Sequence, residues 1–356
     1  MSPAERVELA LACQPLDRPP WTCYYPFGLQ HMSGEAQASV HLAFAERYGV
    51  DLVRISCNYP YPLAKGQRLE RSKDFAALEP LEGKQASFDH SLSCLKKVHT
   101  GLKGTRYLLD TVTSPFTTLA RLAGHELCLQ AMREHPGFFK SALEAVTRTL
   151  ERYASRALEA GAQGLFLLVS AASHQHMSPE EYSEHIAPYD ERVLRAASEA
   201  RCNAVYAVGT RLFLEPLKAL PCRLLGWSQV HAGPGLVRGR ANFPGAVLGG
   251  LDELHPEHYP DILARSAEEW TAPGLILAPG GPLPAETDPR RIDELRQAVL
   301  ALTQETREKP TPKPRKAREP RPEPTSYPTP RTTGRSRLTT TPPLGAGDAG
   351  SALTED

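Results

Sequence analysis

The sequence predicts an α/β chain, a (β/α)8 TIM barrel over residues 1–307 followed by a disordered tail over residues 308–356. The stretch Leu158-Glu-Ala-Gly-Ala-Gln-Gly-Leu-Phe-Leu-Leu-Val-Ser170 reads as a helix end, a glycine turn at Gly161 and an apolar run that stops on a hydroxyl. A strand apolar on both faces has to be covered on both sides, as in a parallel α/β sheet. Short apolar segments alternate with helical periodicity eight times, the count of a (β/α)8 barrel. Near Glu308 the composition changes, and Pro, Thr, Arg and Lys replace the large apolar residues.

In chain order, the strand candidates are Pro20–Tyr25, Asp51–Cys57, Arg106–Val112, Gly164–Ser170, Ala204–Val208, Arg223–Trp227, Ala246–Leu251 and Leu275–Ala278. Helices are expected at Gln37–Tyr48, Pro136–Ala160, Pro179–Ala200, Leu212–Leu220, Glu257–Thr271 and Pro289–Thr306. Ser178-Pro179-Glu180-Glu181 and Thr287-Asp288-Pro289 carry start signals, with an acceptor at the cap and proline just inside. Lys65–Leu92, with scattered charges and two glycines, reads as an excursion before the third strand. The tail buries too little apolar surface to offset its ordering entropy.

A formal net charge of zero gives no field that favours nucleic acid or an anionic membrane, so neither is expected as a partner. No apolar run reaches the roughly 18 residues that span a bilayer. The first twenty residues, with Glu5, Arg6, Glu8 and Asp17, lack the apolar core of a secretion signal. Seven scattered cysteines, an odd number without Cys-x-x-Cys, argue for reduced thiols and a cytoplasmic location. From Glu308 on, nine basic residues face six acidic ones. The tail reads either as a solvated segment or as a contact for RNA or an acidic partner.

In parallel α/β folds the chemistry sits at the carboxyl ends of the strands, which directs attention to Ser170. His174 and His176 follow in the same loop, either as metal ligands or acid and base, or as polar loop residues. His231 and Asp252 face the same mouth if the strands are right; Asp252 also suits a helix N-cap before Pro256. Tyr206 and Arg211 flank Gly209 at the fifth strand's end. Arg211 has the fork geometry for a substrate carboxylate, or pairs with Glu215. Tyr24, Tyr25, Asn58, Tyr59 and Tyr61 line the mouth for a flat ligand or for a neighbouring subunit in a homodimer. Pro60 and Pro62 stiffen that loop. Asp110 reads as a structural acceptor.

Arg6 and Leu11-Ala-Cys-Gln-Pro-Leu-Asp-Arg-Pro-Pro20, Tyr48-Gly-Val-Asp-Leu-Val53 and Ser114-Pro-Phe-Thr-Thr-Leu-Ala-Arg-Leu-Ala-Gly124 occur in order along the chain. The Ala160–Ser170 segment, Met177-Ser-Pro-Glu-Glu-Tyr182, Gly249-Gly-Leu-Asp252 and Leu277-Ala-Pro-Gly-Gly-Pro-Leu-Pro284 follow. The ordered set resembles the uroporphyrinogen decarboxylase superfamily, which also contains corrinoid-dependent methyltransferases, over nearly all of residues 3–305. The resemblance implies a barrel acting on a tetrapyrrole or related carboxylic acid.

Functional positions of that family are mostly replaced. Its loop after the first strand carries two arginines, whereas Tyr24-Tyr-Pro-Phe-Gly-Leu-Gln-His31 has none. Its aspartate after the second strand falls near Cys57 or Asn58, its tyrosine after the Pro-Phe-Thr turn becomes Arg121, and its late histidine becomes Gly280. Ser170 alone matches the decarboxylase branch. The methyltransferase branch holds zinc with His-x-Cys and a later Cys, positions that read Tyr206-Ala-Val208 and Gly281 here. No metal set and no cofactor are therefore expected.

The resemblance implies a divergent decarboxylase (a lyase) in which Ser170 and Asn58 orient substrate, Tyr206 or His231 supplies protons, and Tyr25, Arg211, Asp252 and His174 bind. The alternatives are a methyltransferase without the thiol-activating zinc site and a non-catalytic ligand-binding barrel.

Overall fold

A computed structural model describes residues 1–56, 60–265 and 267–308. The expected strand end at Cys57, the candidate binding residue Asn58, Tyr59 and the tail beyond Glu308 lie outside the described residues.

Helix α1 (Pro3–Leu11) starts on a reciprocal cap in which the Ser2 hydroxyl accepts from Glu5 N and the Glu5 carboxylate accepts from Ser2 N. Its Arg6 reaches across to Asp51, which is fully buried. Asp51 accepts from Arg6 Nη1 (2.6 Å), from Arg18 Nη1 (2.7 Å) and Nη2 (3.1 Å), and from Trp21 N (3.0 Å). Asp17 takes Arg6 Nε at 2.8 Å. The Asp17-Arg18 pair is thus part of a charge network that anchors the chain start beside the sheet.

Seven parallel strands follow one another in space as in sequence. They are β1 (Leu52–Ile55), β2 (Tyr107–Thr113), β3 (Leu165–Val169), β4 (Ala204–Ala207), β5 (Leu224–Gly226), β6 (Ala246–Leu251) and β7 (Leu275–Pro279). This is the curled parallel sheet of a TIM-like α/β fold. The expected first strand, Pro20–Tyr25, is reduced to a bridge at Trp21. Thr22 N donates to Leu277 O and Leu277 N to Pro20 O on one side, and Asp51 N donates to Trp21 O on the other. The prolines at 19 and 20 lack the N–H groups that a longer ladder needs.

The packing around β3 shows why this strand is apolar throughout. Phe166 and Leu168 join the cluster inside the curl, with Tyr24, Leu109 and Tyr206. Leu165, Leu167 and Val169 join the larger cluster under the helices. Alternation in a strand sends neighbours to opposite faces, and here both faces are packed, with Leu168 partly open at the strand's carboxyl end. Burying each of Phe166 and Leu167 contributes roughly 1.5–3 kcal/mol.

Helices cover the outer face: α2 (Gly34–Tyr48), α3 (Ala86–Leu102), α4 (Pro115–Ala123), α5 (His125–Glu134), α6 (Pro136–Glu159), α7 (Pro179–His185) and α8 (Ala187–Ala196). After β4 come α9 (Glu215–Lys218), α10 (Leu236–Arg240), α11 (Tyr259–Arg265), α12 (Ala267–Trp270) and α13 (Pro289–Glu308). The excursion expected at Lys65–Leu92 contains a 3-10 turn, Ser72–Ala77, and the start of α3.

The helix expected at Pro179–Ala200 is two helices, broken at Ile186 (φ −120°, ψ −48°). Pro188 cannot donate to a carbonyl one turn back, so the first helix ends before it. The helix expected at Leu212–Leu220 shrinks to α9, because Leu212 is held in an antiparallel bridge with Ser173. No helix among the described residues is long and apolar enough to cross a membrane.

Candidate functional site

The carboxyl ends of the strands carry a cavity of about 170 Å³, bounded by Cys23–Leu29, α2 and β1, with Arg121 and Leu168 at its rim. A smaller one of about 90 Å³ adjoins β2 and α6 and shares Ser56, Arg121 and Leu168. Leu52 faces the interior of the curl, and Arg54, two residues on, shares its face. The Arg54 guanidinium stands 4.2 Å from the Tyr24 ring centroid and 5.0 Å from that of Phe166. Its Nε is sealed from solvent without a hydrogen-bond partner. No carboxylate pairs with Arg54 or with Arg121 among the described residues. Burial lowers the Arg54 pKa from its ordinary value.

Two further groups of this cavity stand unpartnered. The Tyr24 hydroxyl is buried and bonded to nothing, and burial pushes its pKa up. His41 of α2 packs edge-on against Phe27, 5.2 Å between centroids, with no hydrogen bond to its ring among the described residues. Burial first, and the nearby Arg54 charge second, hold its pKa down at about 4. The imidazole is therefore neutral at pH 7. The loop that lacks arginines is thus faced by an arginine from the next strand. Sequence reasoning passed over Arg54, although a lone charge on the inward parity of a strand buried on both faces was the available signal.

Ser170 follows β3 and accepts or donates to two side chains: His125 Nε2 at 3.0 Å and Thr117 Oγ1 at 3.2 Å. Its backbone N also donates to Thr117 Oγ1 (2.9 Å). The Ser114–Gly124 motif that supplies Thr117 is a helix, α4, with Ser114 as N-cap and Pro115 inside, not a turn. His125 stacks on His176 with centroids 4.3 Å apart and 15° between planes. Burial, then the His176 charge, lower the His125 pKa. His176 therefore meets His125 and not His174, which is exposed and packs edge-on to Phe213. His125 was missed because only the α4–α5 bend at Gly124 brings it to Ser170.

The other expected residues are placed differently. Tyr206 is buried inside the curl, its hydroxyl donating to Gly280 O at 2.6 Å, and burial raises its pKa well above the usual range. Tyr25 lines the larger cavity and donates to Ala285 O at 2.6 Å. Arg211 is exposed at φ +51°, and Glu215 pairs with Lys218 (2.7 Å) instead of with Arg211. Asp110 accepts from Tyr153 Oη at 2.8 Å, and burial raises its pKa to about 7.

Asp252 is not a helix N-cap. Its Oδ1 sits 2.7 Å from His231 Nε2 and accepts from Leu254 N, while His255 stands at the cap of the Pro256–His258 turn. Hydrogen bonding to Asp252 raises the His231 pKa. Glu253 completes a group of one imidazole and two carboxylates whose donor atoms lie within 4.8 Å. Ser228 Oγ donates to Glu253 (3.2 Å), and Gly280 leaves room there, since a Cβ would come within 2.5 Å of Glu253 Oε2.

A zinc site of the thiolate kind does not fit these residues. The Tyr206 hydroxyl is committed to a carbonyl, Val208 offers no donor and Gly281 has no side chain. No soft ligand remains at any of the three positions.

Fold and site define a TIM-like α/β protein with its cavity at the carboxyl ends of parallel strands, lined by uncompensated guanidinium groups. The chain belongs to the uroporphyrinogen decarboxylase (URO-D) family, whose sequence model matches residues 2–302. Among solved structures, a methyltransferase from Methanosarcina mazei is similar at 17% identity and a TM-score of 0.71, over 86% of this chain and 99% of that one. A B12-independent methionine synthase from Shewanella sp. W3-18-1 matches at 13% identity and a TM-score of 0.49, over 77% of this chain and 87% of that one. At such identities the likeness concerns the fold. Among curated proteins no sequence match is found.

Proposed function

We propose that the protein is a carboxy-lyase of the URO-D family that acts on an organic acid. The observation that carries the reading is Arg54, a guanidinium facing the cavity with its Nε sealed, unpartnered and opposed by no carboxylate among the described residues. An uncompensated buried charge is costly, and an anionic substrate is the natural counter-ion.

Loss of carbon dioxide breaks one C–C bond, leaves its electron pair on the substrate and consumes one proton there. A carboxylate held by Arg54 is stabilised as an anion, so it is the one retained. The departing carboxyl belongs on the less polar side of the mouth, toward Leu168. Ser170 orients substrate, and His125 relays a proton from solvent, one ring nitrogen giving up its N–H to the substrate as the other takes a proton from water. Tyr206 is less suited to that role, with its hydroxyl tied to Gly280.

A barrel that binds its ligand without turnover is the second reading, favoured by that same commitment of Tyr206. The test is anaerobic incubation with uroporphyrinogen and with smaller ring-bearing diacids, followed by carbon dioxide measurement. Release from one of them is expected, and release from none defeats the lyase reading.

A further inference from the structure

Arg54, Tyr24 and the neutral His41 imidazole line the larger cavity. Arg54 Nε and the Tyr24 hydroxyl are sealed and unbonded, which leaves the outer guanidinium nitrogens and His41 as the donors toward the open space. Both offer N–H, and neither has an acceptor among the described residues. Gln37 of the same wall has its amide nitrogen bonded to Leu29 O at 2.9 Å. Beside His41 stands an aromatic wall, in which Phe27 contacts Tyr25 (5.6 Å between centroids) and Phe44 (5.4 Å). Phe27 and Phe44 are only partly buried and keep ring surface open to the cavity.

The volume, about 170 Å³, bounds what enters. A cavity of about 150 Å³ is known to take one benzene ring. Drug-sized ligands occupy clefts of about 300–1,000 Å³. Four linked pyrrole rings exceed this space, and a single ring with one acidic arm fills it. We infer that the cavity selects a small organic acid built on one unsaturated ring, with its carboxylate bonded by Arg54 and His41 and its ring against Phe27 and Phe44, and that it does not admit a tetrapyrrole. The inference rests on the acid-binding reading above and narrows it. Specificity follows from the donor set: a carboxylate accepts from both Arg54 and His41, whereas a neutral amide turns its own N–H groups toward one of them.

The test is calorimetric titration of the full chain at pH 7 with benzoate, phenylacetate and pyrrole-2-carboxylate, each against its amide. At least one acid is expected to bind about ten-fold or more tightly than its amide. In Arg54→Met that preference disappears while the melting temperature stays at or above wild type, because an uncompensated charge has been removed. Arg54→Lys, which keeps the charge and loses the fork, retains part of the preference. Uroporphyrin does not displace the bound acid.

Acids and amides that bind alike, an Arg54→Met protein that keeps the preference, or displacement by uroporphyrin each overturn the inference. So does a large drop in melting temperature in Arg54→Met, which marks Arg54 as a structural group. Acid preference without carbon dioxide release from any substrate refutes the lyase and leaves the pocket assignment standing. Release from uroporphyrinogen without acid preference does the reverse.

Discussion

His125 Nε2 lies 3.0 Å from the Ser170 hydroxyl, and the same imidazole is stacked on His176. Burial and the neighbouring imidazole both disfavour its protonation and hold its pKa below the ordinary imidazole value. His176→Ala removes the second cause. The His125 midpoint, followed by NMR of the ring protons, is expected to rise toward the ordinary imidazole value. No movement would show that burial alone sets it.

His41 makes the folded protein sensitive to acid. Its pKa is about 4 in the fold, against about 6.5 for a free imidazole. A depressed histidine means that the unfolded chain binds the extra proton first. Stability is therefore lost as the pH falls from about 6.5 to about 4, by about 3 kcal/mol in total. Urea unfolding at a series of pH values should show this slope, and His41→Gln should flatten it whatever the substitution does at neutral pH.

Asp51 is the centre of the charge network under the sheet, with two arginines and the Trp21 amide on one buried carboxylate. Removing it leaves Arg6 and Arg18 buried and unanswered. Asp51→Ala is expected to cost about 3–5 kcal/mol in denaturant unfolding. Asp17→Ala should cost less, since that carboxylate is partly exposed and Arg6 keeps Asp51.

Strand positions were legible because a short, unbroken apolar run with no polar face packs well only where both of its sides are covered, and β2 to β7 lie within a residue or two of their expected ends. The helix α4 was equally legible, since Ser114-Pro115 repeats the signal of Ser178-Pro179, yet it reads as a turn when only its motif is considered. Helix α3 carries no such signal: Gln85 at its cap makes no side-chain bond. The site was less legible. Arg54 and His41 line one cavity because α2 packs beside β1, and the Ser170–His125 contact depends on the bend at Gly124. Such meetings are tertiary, and residue spacing does not encode them. His231 and Asp252 were expected at one mouth, and the structure shows the two side chains paired at 2.7 Å.

Gly164 sets how closely β3 and β4 start, and this can be measured. A Cβ added there would stand 1.7 Å from Cys202 O, 2.5 Å from Cys202 C and 3.2 Å from Asn203 N. All three are backbone atoms, so no side chain can swing away. Relief would require moving the entry of β4, where Cys202 N donates to Gln163 O and the Asn203 side chain bonds Leu165 N. Those bonds align the strands that carry Ser170 and Tyr206. Gly164→Ala is therefore expected to cost more than about 3 kcal/mol, in the range of severe overpacking. Gly137 in α6 supplies the control, since nothing lies within 4 Å of its added Cβ. Gly137→Ala should be neutral or stabilise by up to about 1 kcal/mol, because alanine is the better helix former. Equal melting temperatures for the two variants would show that β3 and β4 are not held at this separation.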